Sequence, residues 1–223
     1  MKLYGSKNSR SLRCAWALEE AGAAYDYQRV NMMKGEGHSP AFKAINPAGK
    51  IPVLTDGDMT LTESAAIVMY VADKFPDASL MPRVAVQRAE VFRWIFYVVS
   101  EVEPHLWAIA QHRFALPEDK RVPAIEPTCV WQLQRALRVI EKTLTTRSFI
   151  AGDAFSAADI LAMHCMTWAL SAKLDGVGEA SHAYIERMKS RPAFQRAVLR
   201  ENKEAERAEA ASHGSTNTSA NVQ

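Results

Sequence analysis

The sequence predicts a chain in two regimes: a mixed α/β region over residues 1–77, then an all-helical region over 87–200, joined by a linker over 78–86. Three observations carry this. Two apolar runs meet at Asp56-Gly57, a strong hairpin signal because glycine takes positive φ freely. Ahead of that hairpin, strand-period and helix-period patterns alternate, giving a βαβ–α–ββα order. Beyond Pro82 the character changes to long, amphipathic stretches without glycine, 84–115 and 128–144. A chain of 223 residues has ample length to bury a core in each regime.

Each element has its own signal. Residues 1–4 read as a short strand. Residues 9–21 place Leu12, Ala15, Trp16 and Leu18 at helical spacing and stop at Gly22, a natural terminating glycine. Residues 25–30 alternate as a strand does. Residues 34–40 form a polar loop rich in turn formers, followed by a short helix over 41–45. The hairpin leads into a helix that starts at Glu63-Ser64. Pro76 and Pro82 bracket the linker. Only Pro104 interrupts the 84–115 stretch, so a kink is expected there. Ser156 and Asp159 form a capping-box pattern and are assigned to folding rather than chemistry. Shorter helices follow over 182–189 and 192–200, split at Arg191-Pro192. Residues 201–223 read as a tail, its last dozen residues disordered on composition.

The bulk numbers exclude several classes. Twenty-seven basic against 25 acidic residues leave +2 without a basic block, which argues against nucleic acid or an anionic membrane as partner. No signal peptide is read, and no apolar run approaches the roughly 18 residues of a membrane helix. Cys14, Cys129 and Cys165 are too far apart for a metal site or a disulfide framework and read as buried thiols in a reducing cytoplasm. No metal is expected. What remains is the stretch Asn46 to Ser64. It offers strand-like backbone groups at Ile51-Pro52 beside a hydroxyl and N–H at a helix start, Ser64, which is a ready anion site. An extended, anionic small peptide needs that combination.

The motif Asn46-Pro-Ala-Gly-Lys-Ile-Pro-Val-Leu, running into Leu61-Thr-Glu-Ser-Ala-Ala-Ile, resembles the cytosolic glutathione S-transferases over roughly residues 1–200. The likeness is to bacterial, serine-type members related to the beta and theta classes, with Phe149-Ile-Ala-Gly-Asp as a further match. It implies an N-terminal thioredoxin-like domain followed by a C-terminal helical bundle domain. It also implies a cytoplasmic homodimer with glutathione as co-substrate and no cofactor.

The resemblance carries over residue by residue. Ile51 should pair its backbone with the cysteinyl part of glutathione, and Pro52, in cis, should hold that edge open. Glu63 and Ser64 should take the γ-glutamyl ammonium and carboxylate. Lys50 faces the glycyl carboxylate, and His38 is a further candidate, one residue offset from the family pattern. For thiol activation Ser9 ranks first, Ser11 second and Tyr4 third; Ser9 could instead be an ordinary N-cap serine. Two departures stand out. Arg10 occupies the place of the beta-class cysteine, and Glu103 lies near that of a beta-class histidine, so mixed-disulfide chemistry gives way to a serine-type mechanism. Phe96, Tyr97, Val99, Trp107 and Phe114 are positional candidates for contacting an apolar electrophile, although aromatic residues at helical spacing are more often core. The expected activity is conjugation of glutathione to such an electrophile. The alternatives are a non-catalytic glutathione-binding protein, or a glutathione-dependent peroxidase or disulfide reductase.

Overall fold

A computed structural model describes residues 1–216, with side-chain surroundings through residue 207. The expected disorder at the end of the chain lies, for 217–223, outside the described residues. Internal packing divides the chain into two compact units: Met1–Ala78 together with the last helix, and Ser79–Arg191.

The first unit opens with β1 (Lys2–Gly5), α1 (Ser11–Glu20) and β2 (Asp26–Arg29), then two 3-10 turns (Met32–Lys34 and Glu36–His38) and α2 (Pro40–Ile45). Strands β3 (Val53–Asp56) and β4 (Met59–Thr62) and helix α3 (Ser64–Lys74) complete it. The sheet order is β2-β1-β3-β4, with β1 parallel to β2 and every other pairing antiparallel. Asp56 pairs with Met59, so the hairpin turn is Gly57-Asp58, one residue later than the Asp-Gly signal suggests; Gly57 has φ +58°. Tyr70 Oη donates to Asp56 Oδ2 at 2.6 Å, and Lys74 pairs with the same carboxylate, fastening α3 to the hairpin.

In the second unit α4 (Ala85–Tyr97) and α5 (Glu103–Ala110) are joined by a π-helical turn, Val98–Val102, and a second π turn, Gln111–Ala115, ends the run. The sequence predicts a kink at Pro104, and the chain widens into the π turn just before it. Proline lacks an N–H and its ring collides with the carbonyl four residues back, and a wider turn relieves both problems. Helices α6 (Glu126–Leu144), α7 (Ala157–Ser171) and α8 (Glu179–Lys189) close the bundle around Trp94, Ile95, Leu106, Leu137, Ile160 and Tyr184, all buried. Ser156 and Asp159 make the capping box at the start of α7.

The last helix, α9 (Pro192–Thr216), extends well past Arg200, where sequence periodicity ends it. Residues 201–211 are rich in Ala, Glu, Lys and Arg, all strong helix formers, and α9 has a packed face to continue. Phe194 meets Trp16 of α1 edge-on with ring centroids 5.0 Å apart. Arg196 and Arg200 each place Nε 3.0 Å from a carboxylate oxygen of Glu19. Among the described residues no helix is long and apolar enough to cross a membrane, and none of the cysteines forms a disulfide.

Candidate active site

Strand register gathers the candidate residues at one end of the sheet. Tyr4 pairs with Val53, and Val53 pairs with Thr62. The exit of β1, the entry of β3 and the exit of β4 therefore lie side by side. From these three ends run the loop to Ser9, the Ile51-Pro52 step and the Glu63-Ser64 step.

At the first of them, Ser9 sits two residues before α1. Its Oγ accepts from the Ser11 N–H at 3.1 Å, lies 2.8 Å from Ser11 Oγ and donates to the Ser6 carbonyl at 2.7 Å. Arg10 holds the N-cap position of α1, while Ser9 accepts from the helix's first N–H and keeps a hydroxyl at its positive end. Ser9 is partly exposed, whereas Ser11 is 0% exposed and so stands behind it. Tyr4 is elsewhere: its ring packs edge-on to Phe42, centroids 6.1 Å apart, in a small apolar cluster with Val30 and Val53.

At the second end the Ile51–Pro52 peptide is cis. The turn before it is shaped by Asn46, whose Nδ2 donates to the Lys50 carbonyl at 2.7 Å and whose Oδ1 accepts from Ala48 N at 3.1 Å. Gly37 and Gly49 bring two loops into backbone contact. A Cβ on Gly37 would lie 2.5 Å from the Gly49 carbonyl oxygen, and Gly49 has φ +65°. His38 and Lys50, each next in sequence to one of these glycines, are both exposed.

At the third end Glu63 has φ +66° and ψ 113°, a conformation that costs about 1–3 kcal/mol for a residue with a Cβ. Val53–Thr62 pairing on one side and α3 on the other hold it there; its carbonyl accepts from Ile67 N at 3.0 Å. The twist turns the Glu63 side chain to solvent and leaves Ser64, 5% exposed, at the first position of α3. Arg13 of α1, only 1% exposed, donates from Nη1 to Ser64 Oγ at 3.1 Å. With its oxygen accepting from Arg13, the Ser64 hydroxyl keeps its own proton to donate. A helix N-terminus, a hydroxyl and a guanidinium behind it form an anion pocket, with an acidic side chain beside it for a cation.

Comparison with known proteins gives the family. A family model described as "Glutathione S-transferase, N-terminal domain" matches residues 1–73, and one described as "Glutathione S-transferase, C-terminal domain" matches residues 110–192. The chain belongs to the glutathione S-transferase family. Glutathione S-transferase GstA of Escherichia coli O157:H7 is 31% identical over 205 residues, covering 90% of this chain and 98% of its own length. A glutathione S-transferase structure from Xylella fastidiosa superposes with a TM-score of 0.80 at 28% identity, covering 90% of this chain and 98% of the other. The theta class glutathione S-transferase of Xanthomonas axonopodis pv. citri, solved with glutathione bound, gives 0.73 at 29% identity over 89% and 96%.

Arg10 and Glu103, the two departures read in the sequence, both stand at helix starts. Arg10 caps α1 by backbone geometry. Glu103 opens α5, with Cys165 Sγ 3.9 Å from its Oε2. Cys14 lies close behind Ser64, its Sγ 3.9 Å from the Ser64 carbonyl, but complete burial pushes its thiol far up and out of nucleophilic range. The electrophile candidates divide by burial: Phe96 and Phe114 are exposed, while Tyr97 Oη is spent on the Ala136 carbonyl at 3.1 Å. Sequence reasoning missed Arg13 as a site residue. Its only local trace is the second arginine of Ser9-Arg-Ser-Leu-Arg13; its partner is 51 residues away.

Proposed function

We propose that this transferase binds glutathione extended and antiparallel to residue 51, and that Ser9 holds its sulfur as a thiolate for attack on an apolar electrophile. The observation that carries the reading is the convergence of Ser9, Ile51-Pro52 and Ser64–Arg13 on one end of the sheet. Ile51 supplies backbone N–H and C=O to the cysteinyl unit as an added strand would. Glu63 takes the γ-glutamyl ammonium, and Ser64 with Arg13 behind it takes the α-carboxylate. Lys50 and His38 face the glycyl end.

The energetics are sufficient without a metal or a general base. A free thiol has pKa near ~8.5, and lowering it by two units needs about 2.7 kcal/mol of preferential thiolate stabilisation. One hydrogen bond to a charged acceptor supplies about 1.5–3 kcal/mol. The N-terminal end of α1 adds roughly 0.3–1 kcal/mol. The thiolate then forms the new sulfur–carbon bond, and the electrophile's leaving group or its π electrons accept the displaced pair. Ser11, hydrogen-bonded to Ser9, steadies the donor. Glutathione is the co-substrate in this scheme, no separate cofactor is needed, and the working form is a cytoplasmic homodimer.

Glutathione-affinity capture run beside rate assays with several apolar electrophiles tests this. The expected outcome is capture together with turnover that depends on glutathione. Capture without turnover of any electrophile would leave a glutathione-binding protein, and disulfide or peroxide reduction as the sole activity would move it to the redox class.

A further inference from the structure

Behind Ser9 runs a line of hydroxyls that ends on a buried carboxyl group. Ser9 Oγ and Ser11 Oγ are 2.8 Å apart. Ser11 Oγ and the Tyr27 phenol oxygen face the same small space at Gly5. Tyr27 Oη donates to Glu201 Oε1 at 2.9 Å. The three groups behind Ser9 are sealed from water: Ser11 is 0% exposed, Glu201 is 4% exposed and Tyr27 is buried. Their fit around Gly5 is tight. A Cβ on Gly5 would stand 2.6 Å from both Ser11 Oγ and Tyr27 Oη, so the two hydroxyls converge on a space only glycine leaves open. Glu201 comes from α9 and lies outside both stretches matched by the family models.

We propose that Glu201, acting through Tyr27 and Ser11, sets the direction in which the thiol-activating hydroxyl of Ser9 points. This is a positioning role, and it rests on Ser9 being the thiol donor. Each serine and tyrosine hydroxyl has one proton to give and can also accept, so a line of them has two senses. With Glu201 neutral, the acid can donate toward Tyr27, Tyr27 toward Ser11 and Ser11 toward Ser9, and Ser9 turns its proton from the Ser6 carbonyl, 2.7 Å away, to the sulfur. With Glu201 ionised, it accepts and the line reverses. Ser11 then donates to Tyr27, Ser9 donates to Ser11, and no proton is left for the thiolate. The only proton lost in the switch is the carboxyl proton, released to solvent; every other step is a rotation.

Burial pushes the Glu201 carboxyl up to about 8, against the pull of the Tyr27 hydrogen bond and of Lys7. The other titratable groups that feel its charge are Cys14 on α1 and Tyr25, just ahead of β2. Arg200, its neighbour on α9, is turned to Glu19. The switch therefore falls in the range where the enzyme can be assayed.

The test follows kcat/KM against pH and titrates the bound glutathione thiol by its ultraviolet thiolate absorbance. It compares the full-length protein with Glu201→Gln, Tyr27→Phe and the double variant. The unaltered protein should lose at least threefold in kcat/KM above pH about 8, where Glu201 ionises. Glu201→Gln, fixed neutral and of the same shape, should abolish that fall. Tyr27→Phe, which cuts the line, should also abolish it and raise the bound-thiol midpoint by about half a unit, a roughly threefold loss of thiolate preference. The double variant should match Tyr27→Phe alone, because the two residues act in series.

An alkaline limb absent from the unaltered protein, or unchanged in both variants, overturns the proposal. So does a uniform loss at every pH that tracks glutathione affinity, the mark of a merely structural role. Should Tyr27→Phe fail to fold, the limb in Glu201→Gln decides alone. Ser9→Ala separates the two levels. An unchanged rate in Ser9→Ala removes the donor assignment itself, while a large loss there with an unaltered alkaline limb removes only the relay.

Discussion

Ser9→Ala should lower kcat by roughly 10- to 100-fold, the range given by losing a hydrogen bond of about 1.5–3 kcal/mol to a charged acceptor. Glutathione affinity should change by no more than about fourfold, because at pH 7 a two-unit pKa shift adds only that much to ground-state binding while the rate follows the fraction of thiolate. Rate assays at saturating glutathione, with calorimetry for affinity, read the two quantities separately. Ser11→Ala is the informative companion. Ser11 is enclosed and lies 2.8 Å behind Ser9 Oγ, so its removal should act through Ser9 and reduce the rate less. A collapse in Ser11→Ala with normal rates in Ser9→Ala would transfer the donor role to Ser11.

The largest stability effect is expected from Asp159→Ala. This carboxylate is 0% exposed and holds three segments together. Oδ1 accepts from Ile150 N at 2.8 Å and Tyr184 Oη at 2.7 Å, and Oδ2 accepts from Ser156 N at 2.8 Å and Ser156 Oγ at 3.0 Å. Burial alone pushes its carboxyl upward, and these four donors oppose that shift. Alanine would leave the donors enclosed without an acceptor, at about 1–3 kcal/mol for each that cannot reach water. A total of roughly 3–5 kcal/mol is expected, a large share of the whole stability of a domain. Urea unfolding should show a lower midpoint with an unchanged slope. A loss under about 1 kcal/mol would mean that the capping box is not what holds this corner.

How much of this was visible in the sequence depends on how far apart the partners are. The capping box spans three residues and the hairpin turn two, so both leave a local signature in residue type and spacing. The register that gathers Ser9, Ile51 and Ser64 follows from the same local pattern once two strands pair. Contacts across the chain leave no such trace. Arg13 meets Ser64 across 51 positions, and Tyr27 meets Glu201 across 174. Nothing in either neighbourhood marks an arginine or a glutamate for burial. The extension of α9 was hidden for a related reason: a charged, Ala-rich run reads equally as a solvated tail or as a helix. What decides is the docked face made by Phe194, Arg196, Arg200 and Glu201. Pro104 shows the reverse case, a local signal of disturbance that the chain answers with a π turn.

The most direct measurement is a crystal structure of the protein soaked with glutathione. The expected result has the sulfur within about 3.2 Å of Ser9 Oγ, backbone hydrogen bonds to residue 51, and the γ-glutamyl carboxylate on Ser64. A tripeptide seated on that strand edge with its sulfur turned away from both serine hydroxyls, or no binding at millimolar glutathione, would contradict it.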